Sequence, residues 1–164
     1  MYEKDRQHLL NEYARGYQML KDALEKYPEE MWRYKPDEHS WSIHEIIIHM
    51  ADSEVNAFVR CRKLIAENGA SVYAYDQDLW ASELRYQEQN AGDALELFKW
   101  LRTTTYKLLK DTPDLTWATH TVNHPERGNI TLDDWLEIYT DHVEGHIGQM
   151  QRVFDSWKKS EARV

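Results

Sequence analysis

At 164 residues the chain is long enough for one domain with a substantial core, expected to span residues 1–164. Hydrophobic residues make up 41% and aromatics 12%, which excludes a disordered acidic tail. The 29 Asp and Glu against 20 Lys and Arg leave a net charge of −9, so phosphate backbones and anionic lipid surfaces are repelled and neither nucleic acid nor membrane is an expected partner.

The first helix is expected over residues 3–27, with Leu9, Leu10, Tyr13, Tyr17, Leu20, Leu24 and Tyr27 in one apolar stripe and Pro28 ending the pattern. A connector from Pro28 to Ser40 carries Met31, Trp32 and Tyr34, large groups that call for packing. The second helix opens at Ser42, which forms a capping box with Glu45. It runs through Ile43, Ile46, Ile47, Ile48, His49 and Met50 to Cys61, Leu64 and Ile65, with Asn68 and Gly69 as a C-cap signal. Its first turns are apolar nearly all round, as in a helix buried from several sides. Even there the run Ile46 to Ile48 is far short of the roughly 20 residues that a membrane span needs. Cys61 is the one cysteine, so there is no internal disulfide, and its place in the helical pattern suits a buried structural thiol. With no signal-peptide pattern in the first residues, a cytoplasmic setting is expected.

Residues 70–90 form a long connection with a short helix from about Asp78 to Tyr86. A connection of this length shapes a site or plugs one end of the fold with aromatics. The third long helix spans about 91–110, with Ala94, Leu95, Phe98, Leu101, Thr105 and Leu108 inward and Asp111, Thr112 and Pro113 as its stop. Residues 112–130, including His120 and His124, read as loop because Pro125 and Gly128 argue against helix. Thr131 and Asp134 then cap a final helix whose stripe is Leu132, Trp135, Leu136, Tyr139, Val143, Ile147, Met150, Val153, Phe154 and Trp157.

His142 and His146 fall inside that stripe one turn apart, so both imidazoles can address one atom. The bare spacing is weak, since eight histidines give roughly 0.4 such pairs by chance, and His120 with His124 repeats it. The setting on a core-facing stripe carries the argument: a buried ring without a partner costs roughly 1–3 kcal/mol, and a shared metal satisfies both. By itself His49 reads more readily as a hydrogen-bonded core residue. Gly145 and Gly148 weaken the last helix by about 1 kcal/mol each relative to Ala and offer a close approach to a neighbour. With four amphipathic helices, no strand alternation and no internal repeat, the fold class is an all-α four-helix bundle. Its long crossover connections permit a topology other than up-down-up-down.

The stretch from Trp41 through His49 and Asp52 to Glu54, together with Asp141 to Gln149, resembles the DinB/YfiT-like superfamily of four-helix-bundle metalloenzymes. The segment Tyr75 to Ala81 and the approach from Gly128 to Trp135 are similar to its members too. The resemblance covers nearly the whole chain in element order and implies a metal held by three histidines, here His49, His142 and His146, with Zn or Ni as the ion. It also implies a small-molecule substrate, a possible low-molecular-weight thiol co-substrate and a homodimer.

A zinc-protease mechanism is disfavoured, because Val143 stands where that motif needs Glu, and Glu144 lies about 200° round the helix from His142. Three neutral imidazoles leave a coordination position open, as catalytic sites do, without selecting one metal. A metal-dependent thiol S-transferase or hydrolase is therefore the leading expectation. A non-catalytic metal-binding protein and a helical interaction or dimerisation module are the alternatives. Asp52, Glu54, Tyr75 and Asp76 are candidate acid, base or supporting groups by proximity in the pattern alone.

Overall fold

The computed structural model describes residues 1–112 and 116–162. Its helices are α1 (Glu3–Leu24), α2 (Ile43–Ala66), α3 (Gln77–Glu83), α4 (Ala91–Asp111) and α5 (Leu132–Glu161), and strands β1 (Thr121–His124) and β2 (Gly128–Thr131) precede α5. Both expected capping boxes are present: Ser42 Oγ accepts from the Glu45 N–H while Glu45 returns to the Ser42 N–H, and Thr131 and Asp134 do the same. α1 stops at Leu24, three residues before Tyr27, which is buried in the following turn. The expected short helix begins at Gln77 and ends at Glu83, and Tyr86 opens a separate 3-10 turn. Pro113, named as part of the stop of the third long helix, lies outside the described residues; α4 itself ends at Asp111.

α1, α2, α4 and α5 make the bundle, with α1 and α2 each packed chiefly against α4 and α5. Sequential α1 and α2 therefore face each other across a diagonal. Directions follow from paired ends. Arg6 near the start of α1 meets Asp133 near the start of α5, and Tyr27 beyond the end of α1 meets Gln151, so these two run parallel. Trp135 donates to the Ala57 carbonyl and Tyr34 meets Ser156, so α2 runs against α5. α4 runs with α2, which forces residues 67–90 to return along the bundle; Tyr86 and Gln89 bond back to Asp52 and His44 on α2, and Gln87 to its cap Ser42. The long connection exists because two parallel neighbours cannot be joined by a tight turn.

Residues 121–131, expected as loop, form an antiparallel hairpin with Val122 opposite Ile130 and His124 opposite Gly128. Val122 and Ile130 are buried against α2 and α5, and Gly128 adopts φ +72, which only the turn after Pro125 requires. Four-residue strands with one inward apolar group each carry too little alternation to be read as strands.

The centre of the bundle holds a buried charge. Arg102 is 2% exposed, and it donates from Nε to the Tyr13 carbonyl (2.7 Å), from Nη1 to Glu54 (3.0 Å) and from Nη2 to the Tyr139 carbonyl (2.7 Å). Its guanidinium carbon lies 4.0 Å from the centre of the Tyr13 ring, and the Tyr13 hydroxyl donates to the other Glu54 oxygen. Gly16 makes room for this group, since a Cβ there would sit 2.6 Å from Arg102 Nε. The two glycines of α5 have no such role: a Cβ on Gly145 meets nothing within 4 Å, and one on Gly148 meets only the end of Arg152. The expected close helix approach at these glycines is thereby corrected. Gly145→Ala is expected to stabilise the protein by roughly 0.5–1 kcal/mol through helix propensity alone, read as a higher urea midpoint.

Candidate metal centre

α2 delivers His49 and α5 delivers His142 and His146 because the stripes of both antiparallel helices face the same interior. One ligand-capable atom from each of the three lies within 4.8 Å of the others. The Nε2 atoms converge, with His142 3.3 Å from His49 and 3.1 Å from His146. Ring nitrogens bound at about 2.0–2.1 Å to one ion, roughly 109° apart, would themselves be roughly 3.3 Å apart, so the cluster has the right spacing.

The proton inventory makes the same point. His146 Nδ1 lies 2.9 Å from Gln149 Oε1, and a carbonyl oxygen only accepts, so the proton sits on Nδ1 and Nε2 presents a lone pair. If His142 Nε2 carries a proton it aims properly at one neighbour, and if His49 donates to His142 then His142 and His146 oppose lone pairs. No choice of neutral tautomers makes two well-directed hydrogen bonds from these contacts. A cation satisfies all three lone pairs together. His49 is 1% exposed, and among the described residues its Nδ1 has no hydrogen-bond partner, which leaves Nε2 as the ring nitrogen that meets another polar side chain.

Burial keeps the rings neutral. It drives His49 down to about 3, helped by His146, and His142 down to about 2, helped by both neighbouring imidazoles; His146 is lowered by burial as well. Unfolded imidazoles titrate near 6.5, so between that value and the folded ones the unfolded chain binds more protons. Stability from these neutral rings is complete above pH 6.5 and is lost as the pH falls towards 3. The metal-free protein is expected to lose urea resistance between pH 7 and pH 5, and a His142→Gln variant should show a shallower loss over the same interval.

Trp41, at the mouth of α2, covers the cluster, with its ring centre 4.7 Å from that of His49 and stacked at 6.4 Å on His146. A cavity of about 480 Å³ adjoins His146, bounded by Trp41, Gln77, Asp78, Gln149 and Arg152. A smaller one of about 190 Å³ lies on the hairpin side of the cluster and reaches His49, His142, Tyr75, Arg60, Tyr139 and Arg127. His146 borders the larger space and His49 and His142 the smaller, so the histidine cluster lies between the two.

Of the acid and base candidates, only Tyr75 borders the small cavity, where burial raises its phenol above the usual range. Asp52 accepts a hydrogen bond from the Tyr86 hydroxyl at 2.6 Å. Asp76 caps α3 by accepting from the Asp78 and Leu79 N–H groups. Glu54 belongs to the Arg102 pair, and Glu144 is exposed, as its position on the wheel requires. His124, expected in a loop, is buried at the end of β1 and borders the small cavity, whereas the His120 ring, just before the strand, meets the Leu64 carbonyl. Sequence reasoning missed Arg60, His124, Arg127 and Tyr139 as cavity residues. They come from three separate segments and share no spacing. Gln149 alone had a local signal, three residues after His146 on the same helix.

A family model described as the DinB superfamily matches residues 12–150. A relative in Oceanobacillus iheyensis, named "putative metal-dependent hydrolase", is 31% identical over 110 residues, or 67% of this chain and 63% of the relative. The chain thus aligns with less than two thirds of that protein. YfiT of Bacillus subtilis, which carries the same description, is 22% identical over 134 residues, covering 82% of this chain and 75% of YfiT. The solved structure of YfiT, described as an "unusual four-helix bundle topology", superposes with a TM-score of 0.84 over 93% of this chain and 87% of that one, at 20% identity.

Proposed function

The chain belongs to the DinB superfamily, and on that premise we propose that it is a metal-dependent enzyme acting on a small molecule, with His49, His142 and His146 as the ligands of one divalent ion, Zn or Ni. The observation that carries this reading is the convergence of three Nε2 atoms that no set of neutral tautomers satisfies. Hydrolysis is the favoured reaction, supported by the descriptions of the Oceanobacillus and Bacillus relatives. S-transfer from a low-molecular-weight thiol is the second reading, supported by the 480 Å³ space beside His146, which gives a co-substrate room on the far side of the cluster. When bound, the ion would supply Lewis acidity at an open position, activating water in the first case and a thiol in the second.

The protein's own groups prepare that position. Gln149 holds His146 in the tautomer whose Nε2 lone pair faces inward. Trp41 packs against His49 and His146 and forms one wall of the larger cavity. Arg60 Nη1 donates to the Tyr139 hydroxyl at 2.8 Å, so the phenol proton is free to be donated elsewhere, and the small cavity lies beside it. A homodimer and a cytoplasmic, reducing setting complete the reading.

Elemental analysis of protein purified without a histidine tag is expected to give about one Zn or Ni per chain. Turnover of p-nitrophenyl acetate, compared with consumption of a thiol by 1-chloro-2,4-dinitrobenzene, then separates the two reactions. Metal without either turnover would favour a non-catalytic metal-binding protein. No metal after reconstitution would return the histidines to the core and favour an interaction module.

A further inference from the structure

The 190 Å³ cavity on the hairpin side of the histidines has a charge pattern that its surroundings do not share. Arg60, from the last third of α2, and Arg127, from the hairpin turn, both border it, and among the described residues Glu126 is the one carboxylate that does so. Neither arginine forms a salt bridge among the described residues. Arg33, Arg62 and Arg152 also lack one, so what sets Arg60 and Arg127 apart is that both border the same small cavity. Arg102, the buried arginine, shows the contrast: its charge is met by Glu54 and two carbonyls.

Arg60 is also held in place. Its Nη1 is fixed on the Tyr139 hydroxyl and its Nη2 on the Tyr73 carbonyl, which restrains the long side chain beside the cavity. A guanidinium anchored by neutral oxygens keeps its full positive charge and its remaining N–H donors. The neutral groups round it are donors too: the Tyr139 and Tyr75 phenols and the Ser53 hydroxyl border the same space. Burial and Arg60, with Arg127 adding to them against Glu126, hold the His124 imidazole below its ordinary value. The volume is below the roughly 300–1,000 Å³ of drug-sized pockets, which suits one small polar group.

We infer that this cavity binds an oxyanion, the carboxylate or phosphate group of a small substrate, through Arg60 and Arg127, with Tyr139 and Tyr75 as additional donors. The substrate class is therefore a small organic acid or phosphate ester whose reacting bond lies at the histidine cluster. Arg60 and Arg127 are binding residues in this scheme, and the hairpin, anchored on α2 and α5 through Val122 and Ile130, carries Arg127 at its turn to the edge of the site. The inference deepens the metal-enzyme reading, yet the arginine pair exists with or without the ion.

The test is calorimetric titration of malonate, inorganic phosphate and the neutral malonamide into zinc-loaded and metal-free protein. It is repeated with Arg60→Gln, Arg127→Gln and the remote surface variant Arg15→Gln. Malonate or phosphate should bind while malonamide does not, and each cavity variant should weaken the anion roughly tenfold or more, as loss of a charge-assisted contact does. Arg15→Gln should bind as wild type. Arg127 is exposed on a turn, so that variant keeps its fold and remains informative even if Arg60→Gln loosens Tyr139. A preference for phosphate over malonate, or the reverse, identifies which acid the cavity accepts and supports it either way. Equal binding of malonate and malonamide, no anion binding at all, or unchanged affinity in both cavity variants would overturn the inference. Anion binding that depends on both arginines in a protein that takes up no metal would support the pocket and sink the metal reading.

Discussion

His142→Ala is expected to strip the metal from the protein. His142 is the middle ligand, the one whose Nε2 is within 3.3 Å of both others, so its loss leaves His49 and His146 without a shared neighbour. Apparent zinc affinities of about 10–16 kcal/mol spread over four ligands give roughly 2.5–4 kcal/mol each, hence a loss on the order of a hundredfold to a thousandfold. Competition against a chromophoric chelator measures it. His49→Ala should behave alike, while Gln149→Ala, which only frees the His146 tautomer, should cost about ten- to a hundredfold. His120→Ala, on a ring that meets the Leu64 carbonyl away from the cluster, should leave affinity unchanged. Equal affinity in wild type and His142→Ala would remove the three-histidine site.

The second large effect is expected at Arg102, where truncation leaves the Glu54 carboxylate buried without its cation. Burial already pushes Glu54 up, with Arg102 opposing that shift, so the pair is held together against desolvation. Breaking such a pair costs about 3–5 kcal/mol, a third or more of the stability of many domains. Arg102→Met should therefore lower the urea midpoint severely at pH 7. Adding Glu54→Gln should recover part of the loss, because the amide keeps a partner for the Tyr13 hydroxyl without a charge to desolvate. A double variant no more stable than Arg102→Met would show that the helix carbonyls, rather than the ion pair, hold Arg102 in place. The Tyr139 carbonyl gripped by Arg102 lies one turn before His142, so the single variant should also weaken metal binding.

Much of this arrangement is legible in the amino-acid sequence. The 3.6-residue stripes and the two capping boxes placed α2 and α5 within a residue at their starts, because caps are local hydrogen bonds that depend only on neighbours in the chain. The spacing of His142 and His146 set them on one face for the same reason, and the resemblance to the DinB/YfiT-like superfamily added His49, which its own surroundings would have left as a core residue. The hairpin was not legible, since Val122 and Ile130 are its only inward apolar groups and their burial depends on α2 and α5 being already packed. Nor was the place of Glu54: a carboxylate on α2 looked like a candidate for chemistry until Arg102, 48 positions away, was seen beside it.

Sequence alone determined what obeys local rules: which segments are helical, where they are capped, which face of α5 carries the two histidines, and that the net charge disfavours nucleic acid. Tertiary structure decided what needs distant segments to meet. It set α1 diagonal to α2 and ran α2 parallel to α4, so that residues 67–90 return past the site. It also brought the three Nε2 atoms together and placed Arg60 and Arg127 round one cavity. The physical reason is range: a cap or a stripe is written in the few residues of one helical turn, whereas a convergence of side chains is fixed only when the core has chosen which helix faces lie together.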